Sequence, residues 1–167
     1  MINFDAFKDT IKLLEKNKVQ YWVFGGFALD GLRGKITREH NDIDIYLHSD
    51  DLSKLKQLSN SKRYRFYKRE NMYFIESTEL KLGVVILTEE DNLIVAHGNK
   101  TLAKYPKEIF SKDMLVSIGT LQFRIVPLEI LYLESKFSKF ETDKTYGRTI
   151  KINKKLFNKI KTIKIRD

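Results

Sequence analysis

The sequence predicts an α+β fold with a short mixed sheet, flanking helices and a small helical C-terminal part. Three observations carry that prediction. Helical and strand spacing alternate through residue 59, period-two segments dominate from residue 63 to 126, and helical spacing returns after Pro127. A hydrophobic fraction of 42% and an aromatic fraction of 12% are enough for a packed core in 167 residues. The pattern divides the chain into a domain over residues 1–126 and a C-terminal helical segment over 127–167.

The elements follow in order. Phe4, Phe7, Ile11 and Leu14 recur at helical spacing behind Asn3, a good N-cap, so residues 4–16 read as an amphipathic helix. Val19 to Phe24 is short, aromatic and β-branched, as a buried strand is. Gly25-Gly26 breaks it, and Phe27 to Leu32 reads as a short helix ending near Gly31 or Gly34. Ile43 to Leu47 is a second strand, and Leu52, Leu55 and Leu58 make residues 50–59 a helix. Tyr64 to Tyr67, Met72 to Ile75 and Leu80 to Leu87 read as strands, separated by turns at Glu70-Asn71 and Ser77-Thr78. Asp91-Asn92 turns the chain again, and Pro106 marks an irregular stretch. Met114 to Ile118 and Leu121 to Val126 flank Gly119-Thr120 as a hairpin. Pro127 suits the first turn of a helix carrying Leu128, Leu131 and Tyr132. A last helix is expected to start after Asp143 or Gly147 and to run into the tail.

Composition narrows the function. The chain has no cysteine, which excludes disulfides, thiolate metal sites and a Cys nucleophile. No apolar run approaches a bilayer span, and the opening MINFDAFKDT is polar, so no membrane association and a cytoplasmic location are expected. Much of the net charge of +9 sits in residues 151–167, where Lys151, Lys154, Lys155, Lys159, Lys161, Lys164 and Arg166 face only Asp167. Such a tail either grips phosphate or nucleic acid, or is a solvated helix face.

The chemistry concentrates between Tyr21 and Leu47. Alternating strand side chains put Asp42 and Asp44 on one face, with Cβ atoms about 7 Å apart, while Ile43 and Ile45 face the core. Two carboxylates so placed can converge on a hard cation such as Mg²⁺. A bare pair of this kind is also found as a decorated strand end. Gly25-Gly26 sharpens the reading, because glycines between a buried strand and a helix let backbone N–H groups approach a phosphate at the positive helix end.

The run G-G-x-A-x-D-G-x-x-G-K-x-T-R-E-H-x-D-I-D-I resembles the lincosamide and aminoglycoside-2″ nucleotidyltransferases of the polymerase-β nucleotidyltransferase superfamily. A weaker likeness covers nearly the whole chain, including PLEILYLESK at Pro127. The resemblance implies the polymerase-β-like fold. By that resemblance Gly25 and Gly26 contact a triphosphate, Asp42 and Asp44 bind Mg²⁺, and Arg38 and His40 line the nucleotide site. Read on their own chemistry, Arg38 could meet a phosphate or brace Asp30 or Glu39, and His40 could be functional or structural. Asp30 reads as a loop brace and Trp22 as core.

One position departs from the family pattern. The third carboxylate that the resemblance implies, as metal ligand or general base, falls on Gly83 in Lys81-Leu82-Gly83-Val84-Val85. Glu76 is the first candidate to replace it and Glu79 the second, with Glu89, Glu90 and Asp91 beyond the strand end.

The leading expectation is an enzyme that moves a nucleoside monophosphate from a Mg²⁺-bound nucleoside triphosphate to a hydroxyl of a small-molecule acceptor, releasing pyrophosphate. The family implies ATP as a donor and an antibiotic as an acceptor. Two rivals remain: a nucleotide-binding regulator of the same fold, motivated by Gly83, and an RNA-directed transferase that uses the basic tail.

Overall fold

The computed structural model describes residues 2–60, 63–98, 101–111 and 113–164. Arg166, counted above in the basic tail, lies outside them. The chain runs α1 (Phe4–Lys16), β1 (Tyr21–Phe24), α2 (Gly25–Arg33), β2 (Ile43–His48), α3 (Leu52–Leu58), β3 (Arg65–Arg69), β4 (Met72–Glu76), β5 (Lys81–Glu90), β6 (Leu93–His97), β7 (Thr101–Pro106), β8 (Met114–Ile118), β9 (Leu121–Ile125), α4 (Leu128–Phe137), α5 (Glu141–Gly147), α6 (Lys154–Phe157) and β10 (Lys161–Lys164). The mixed sheet and flanking helices expected from the sequence are present.

The sheet order is β10-β7-β6-β5-β2-β1-β9-β8, with the β3–β4 hairpin attached to β5. Two pairings are parallel, β2 with β5 and β1 with β9, and the others are antiparallel. β5 is the spine. Residues 82–87 pair with β2, while its other edge is divided between β4 at residues 81–85 and β6 at residues 86–90.

Alternation sorts the sheet into two faces. Tyr21, Val23, Ile43, Ile45 and Leu47 are buried. Trp22, Phe24, Asp44 and Tyr46 occupy the alternate positions, and Trp22 packs edge-on against Phe110 as a core residue. α1 starts as expected, with the Asn3 side chain accepting from the Ala6 N–H at 2.7 Å. Its buried stripe carries Phe7, which stacks on Phe27 and meets Phe123 edge-on.

Three features differ from expectation. β6 and β7 widen the sheet across the stretch read only as a turn and an irregular segment. α2 begins at Gly25 rather than after the glycines. The last helix does not run through the tail: α6 is one turn, and β10 then pairs antiparallel with β7. Main-chain pairing to an open sheet edge outweighs the weak helical preference of a lysine-rich segment. Among the described residues no helix is long and apolar enough to cross a membrane.

Candidate active site

The site begins where β1 hands over to α2. Gly25 has φ 68°, a left-handed conformation that glycine adopts without strain. Phe24 occupies the N-cap position and makes no side-chain hydrogen bond to the helix, so the first-turn N–H groups remain open to an anion. A Cβ on Gly25 would lie 3.3 Å from Asp44 Oδ2. A Cβ on Gly26 would overlap the Arg38 guanidinium and come within 2.6 Å of the His40 ring. Both glycines therefore let other functional groups close on the helix start.

Asp42 immediately precedes β2 and Asp44 is its second residue, while Ile43 and Ile45 are fully buried. Both aspartates line a cleft of about 270 Å³ together with Gly25, Gly26, Arg38 and His40. Burial, followed by the negative charges of Asp42 and Glu134, pushes the Asp44 carboxyl up to about 7 against the opposing pull of Lys81 and Arg38. Among the described residues no cluster of three or more His, Asp or Glu could cage a metal. The donor set available to a divalent cation here is the pair Asp42 and Asp44, and it is open to oxygens from a ligand.

Arg38 and His40 form the wall of this cleft, each held by a carboxylate. Arg38 donates from Nε to Asp143 Oδ1 at 3.2 Å and from an Nη to Asp143 Oδ2 at 2.8 Å, and its guanidinium lies 3.9 Å over the Phe140 ring. His40 Nε2 is 2.8 Å from Asp30 Oδ2, and its ring stacks on Phe27. Asp30 also accepts from Thr37 N–H and Oγ1. Burial works against its charge, but these hydrogen bonds prevail and hold its carboxyl below the usual range.

A second cleft, of about 430 Å³, adjoins the first. It is lined by Tyr46, Met72, Val85, Tyr105 and Thr162 among others. Phe24, Asp44, Glu134 and Phe137 line both clefts and form their shared wall. Phe137 is 73% exposed, an aromatic surface that the core does not use. Glu134 accepts from Tyr46 Oη at 3.2 Å, and Tyr46 Oη is 3.1 Å from Tyr105 Oη. Burial raises the Glu134 carboxyl above its ordinary range, against the hydrogen bond from Tyr46.

A model of the aminoglycoside-2″-adenylyltransferase family matches residues 7–150. The chain belongs to this family. Its fold is similar to that of the lincosamide antibiotic adenylyltransferase LnuA in its lincomycin-bound crystal structure. The TM-score is 0.69 at 20% identity, over 89% of this chain and 96% of that one. It is also similar to ANT(2″)-Ia in complex with adenylyl-2″-tobramycin, with a TM-score of 0.61 at 13% identity, over 87% of this chain and 85% of that one. In sequence, it is 45% identical over 47 residues to a lincosamide resistance protein of Staphylococcus haemolyticus, across 28% of this chain. It is 25% identical over 122 residues to the uncharacterized protein RT0683 of Rickettsia typhi, across 72% of this chain. The matches span 29% and 38% of the length of these two curated relatives.

In this member of the aminoglycoside-2″-adenylyltransferase family, Gly83 pairs in register with Asp44, and a Cβ there would lie 2.7 Å from Asp44 Oδ1. Gly83 thus adjoins Asp44 and leaves room for its carboxylate. The structure does not bring Glu76 into either cleft. It ends β4 between Lys81 of β5 and Arg65 of β3. Glu79 pairs with Arg63 at 2.6 Å and lines a separate cavity against α1 and α3. Glu134 is the carboxylate that reading the sequence missed. Its signal lay in the spacing: Ile130 and Leu131 are buried, so a residue four and three positions on falls on the inward stripe of α4.

Proposed function

We propose that this chain transfers a nucleoside monophosphate from a Mg²⁺-bound nucleoside triphosphate, ATP first, to a hydroxyl of a small-molecule antibiotic, with release of pyrophosphate. One observation carries the reading: Asp42 and Asp44 stand against the uncapped start of α2 in a cleft that shares a wall with a second, more apolar one. The N–H groups at Gly25 and Gly26 and the positive helix end suit the triphosphate. Asp42 and Asp44 would hold Mg²⁺, a hard cation that suits crowded carboxylates and takes its other oxygens from phosphate and water. Bound there, it would neutralise phosphate charge. Arg38, held by Asp143, fixes the wall facing that phosphate. Positioning and charge neutralisation dominate such chemistry.

The second cleft suits the acceptor. Among the described residues lining it, the charged side chains are Asp44 and Glu134 alone, set among aromatic and aliphatic groups. The aromatic and aliphatic lining suits an acceptor with apolar surface to bury, which favours a lincosamide over an aminoglycoside. Pyrophosphate release from MgATP with lincomycin, and with tobramycin as the contrast, tests both statements. Release with neither would overturn the transferase reading. Tight MgATP binding without release would leave the regulator reading, which Gly83 motivates.

Among the described residues of the basic tail, Thr162 alone lines either cleft, and none of the tail's lysines does. Lys159 pairs with Glu108 at 2.6 Å, and β10 is held by main-chain pairing. Replacing Lys154, Lys155, Lys159 and Lys161 with Gln is expected to change MgATP affinity by no more than about twofold at physiological salt, where exposed charges are screened. Tight RNA binding by the unmodified chain, lost in this variant and falling steeply with salt, would favour the RNA-directed reading instead.

A further inference from the structure

We infer that Glu134 is the catalytic residue that receives the acceptor hydroxyl's proton, supplying from α4 the carboxylate that Gly83 does not. The inference rests on the transferase reading above. In the step, Glu134 takes the proton from the acceptor O–H as that oxygen forms its bond to the α-phosphorus. The bond from the α-phosphorus to the bridging oxygen breaks, and pyrophosphate leaves with the electron pair.

Three observations place Glu134 in this role. The first is position. Transfer must happen where donor and acceptor clefts meet, and Glu134 is one of four residues lining both, beside Asp44. The other two, Phe24 and Phe137, carry no proton acceptor. The second is an unused oxygen. A carboxylate on the inward stripe of a helix costs free energy that an aliphatic side chain would not. Among the described residues Tyr46 Oη is its hydrogen-bond donor, to Oε1, and no Lys or Arg pairs with it. No hydrogen bond from a described residue reaches Oε2, and the Glu134 side chain lines both clefts. The third is orientation. Tyr46 lies two residues after Asp44 on β2, hence on the same face, and its hydroxyl is in turn fixed by Tyr105. The strand that carries Asp44 therefore also aims Glu134.

The alternative is that Glu134 merely ties α4 to the sheet through Tyr46. Glu134→Gln, Glu134→Asp and Tyr46→Phe in the full chain separate the two. The measurements are pyrophosphate release with MgATP and lincomycin, and MgATP binding by calorimetry. Expected for Glu134→Gln is a fall in kcat of about 100-fold or more, typical of losing a general base. Its MgATP Kd and lincomycin KM should stay within about threefold, the signature of a group used only in the transition state. Glu134→Asp should recover part of the rate, and Tyr46→Phe should lose less than about tenfold, because the carboxylate survives. Turnover of Glu134→Gln within about threefold of wild type would overturn the inference and leave the transferase reading standing. So would Tyr46→Phe falling as far as Glu134→Gln, which makes Glu134 a brace. A wild-type protein that binds MgATP but transfers nothing to lincomycin or tobramycin would overturn the transferase reading, and this role with it.

Discussion

Asp44→Asn is expected to abolish metal-dependent triphosphate binding and, at the same time, to raise the melting temperature above neutral pH. The two effects share a cause. Burial and the neighbouring charges of Asp42 and Glu134 raise the Asp44 carboxyl from 3.8 to about 7. In the unfolded chain it ionises near 3.8, so between there and about pH 7 the folded protein binds more protons than the unfolded one. Stability therefore falls as pH rises through that window, and the full cost remains above it. Asparagine removes this cost. The variant should melt a few degrees higher at pH 8 and almost level with wild type near pH 4. A bound cation offsets the same cost in the wild type, so Mn²⁺ or Mg²⁺ with ATP should stabilise it by about 2.7 kcal/mol at a hundredfold excess over Kd, and the variant hardly at all. Wild-type Mn²⁺ affinity should also weaken as pH drops below about 7, because the cation must displace a proton. Asp42→Asn should lose binding too, while relieving the repulsion on Asp44. Calorimetry and thermal melts at both pH values check this. Unchanged affinity in both variants would sink the assignment of the pair.

Gly26→Ala is expected to be the most damaging single-carbon change in the site. The added Cβ points into the Arg38 guanidinium and to within 2.6 Å of the His40 ring. Neither group can retreat cheaply. Arg38 is clamped by the two hydrogen bonds it donates to Asp143 and stacked over Phe140, and His40 lies between Phe27 and the buried Asp30. Overpacking of this kind costs about 1–3 kcal/mol, read as a shift in the urea midpoint without a change in slope. Because the same displacement pulls the wall away from the helix start, MgATP affinity should fall more than tenfold as well. Normal stability together with normal binding would show that Arg38 and His40 are not packed against the helix start.

The local parts of this architecture were legible in the sequence. The Asn3 cap, the buried stripe of α1, β1, β2, the hairpin at Gly119-Thr120 and α4 all announce themselves by spacing or turn chemistry. The carboxylate pair and the glycines were readable for the same reason, since they lie within twenty residues of each other. What was not legible depends on distant partners. Arg38 meets Asp143 across 105 positions, and no local pattern points to it. β7 carries Lys104 and ends in Pro106, and β10 carries Lys161 and Lys164, so their strand character comes from edges available to pair rather than from composition. Gly25 and Gly26 are poor helix formers, yet packing of Asp44, Arg38 and His40 around them sets the helix start. Glu134 was within reach by its place on the inward stripe of α4, a polar residue where spacing calls for an apolar one.

The parallel pairing of β1 with β9, which joins Val23 to Ile125, has a kinetic consequence. The cradle and the carboxylate pair come from residues 25–44, whereas Glu134 and Phe137 come from α4 and Asp143 from α5. Closing a loop of about a hundred residues loses entropy before any contact compensates, and parallel pairings of such long reach form slowly. Local units such as α1 and the β8–β9 hairpin can assemble early, but β9 must dock beside β1 before α4 can set Glu134 against Asp44. A refolding chain therefore acquires its regular structure first and a transfer-competent cleft last.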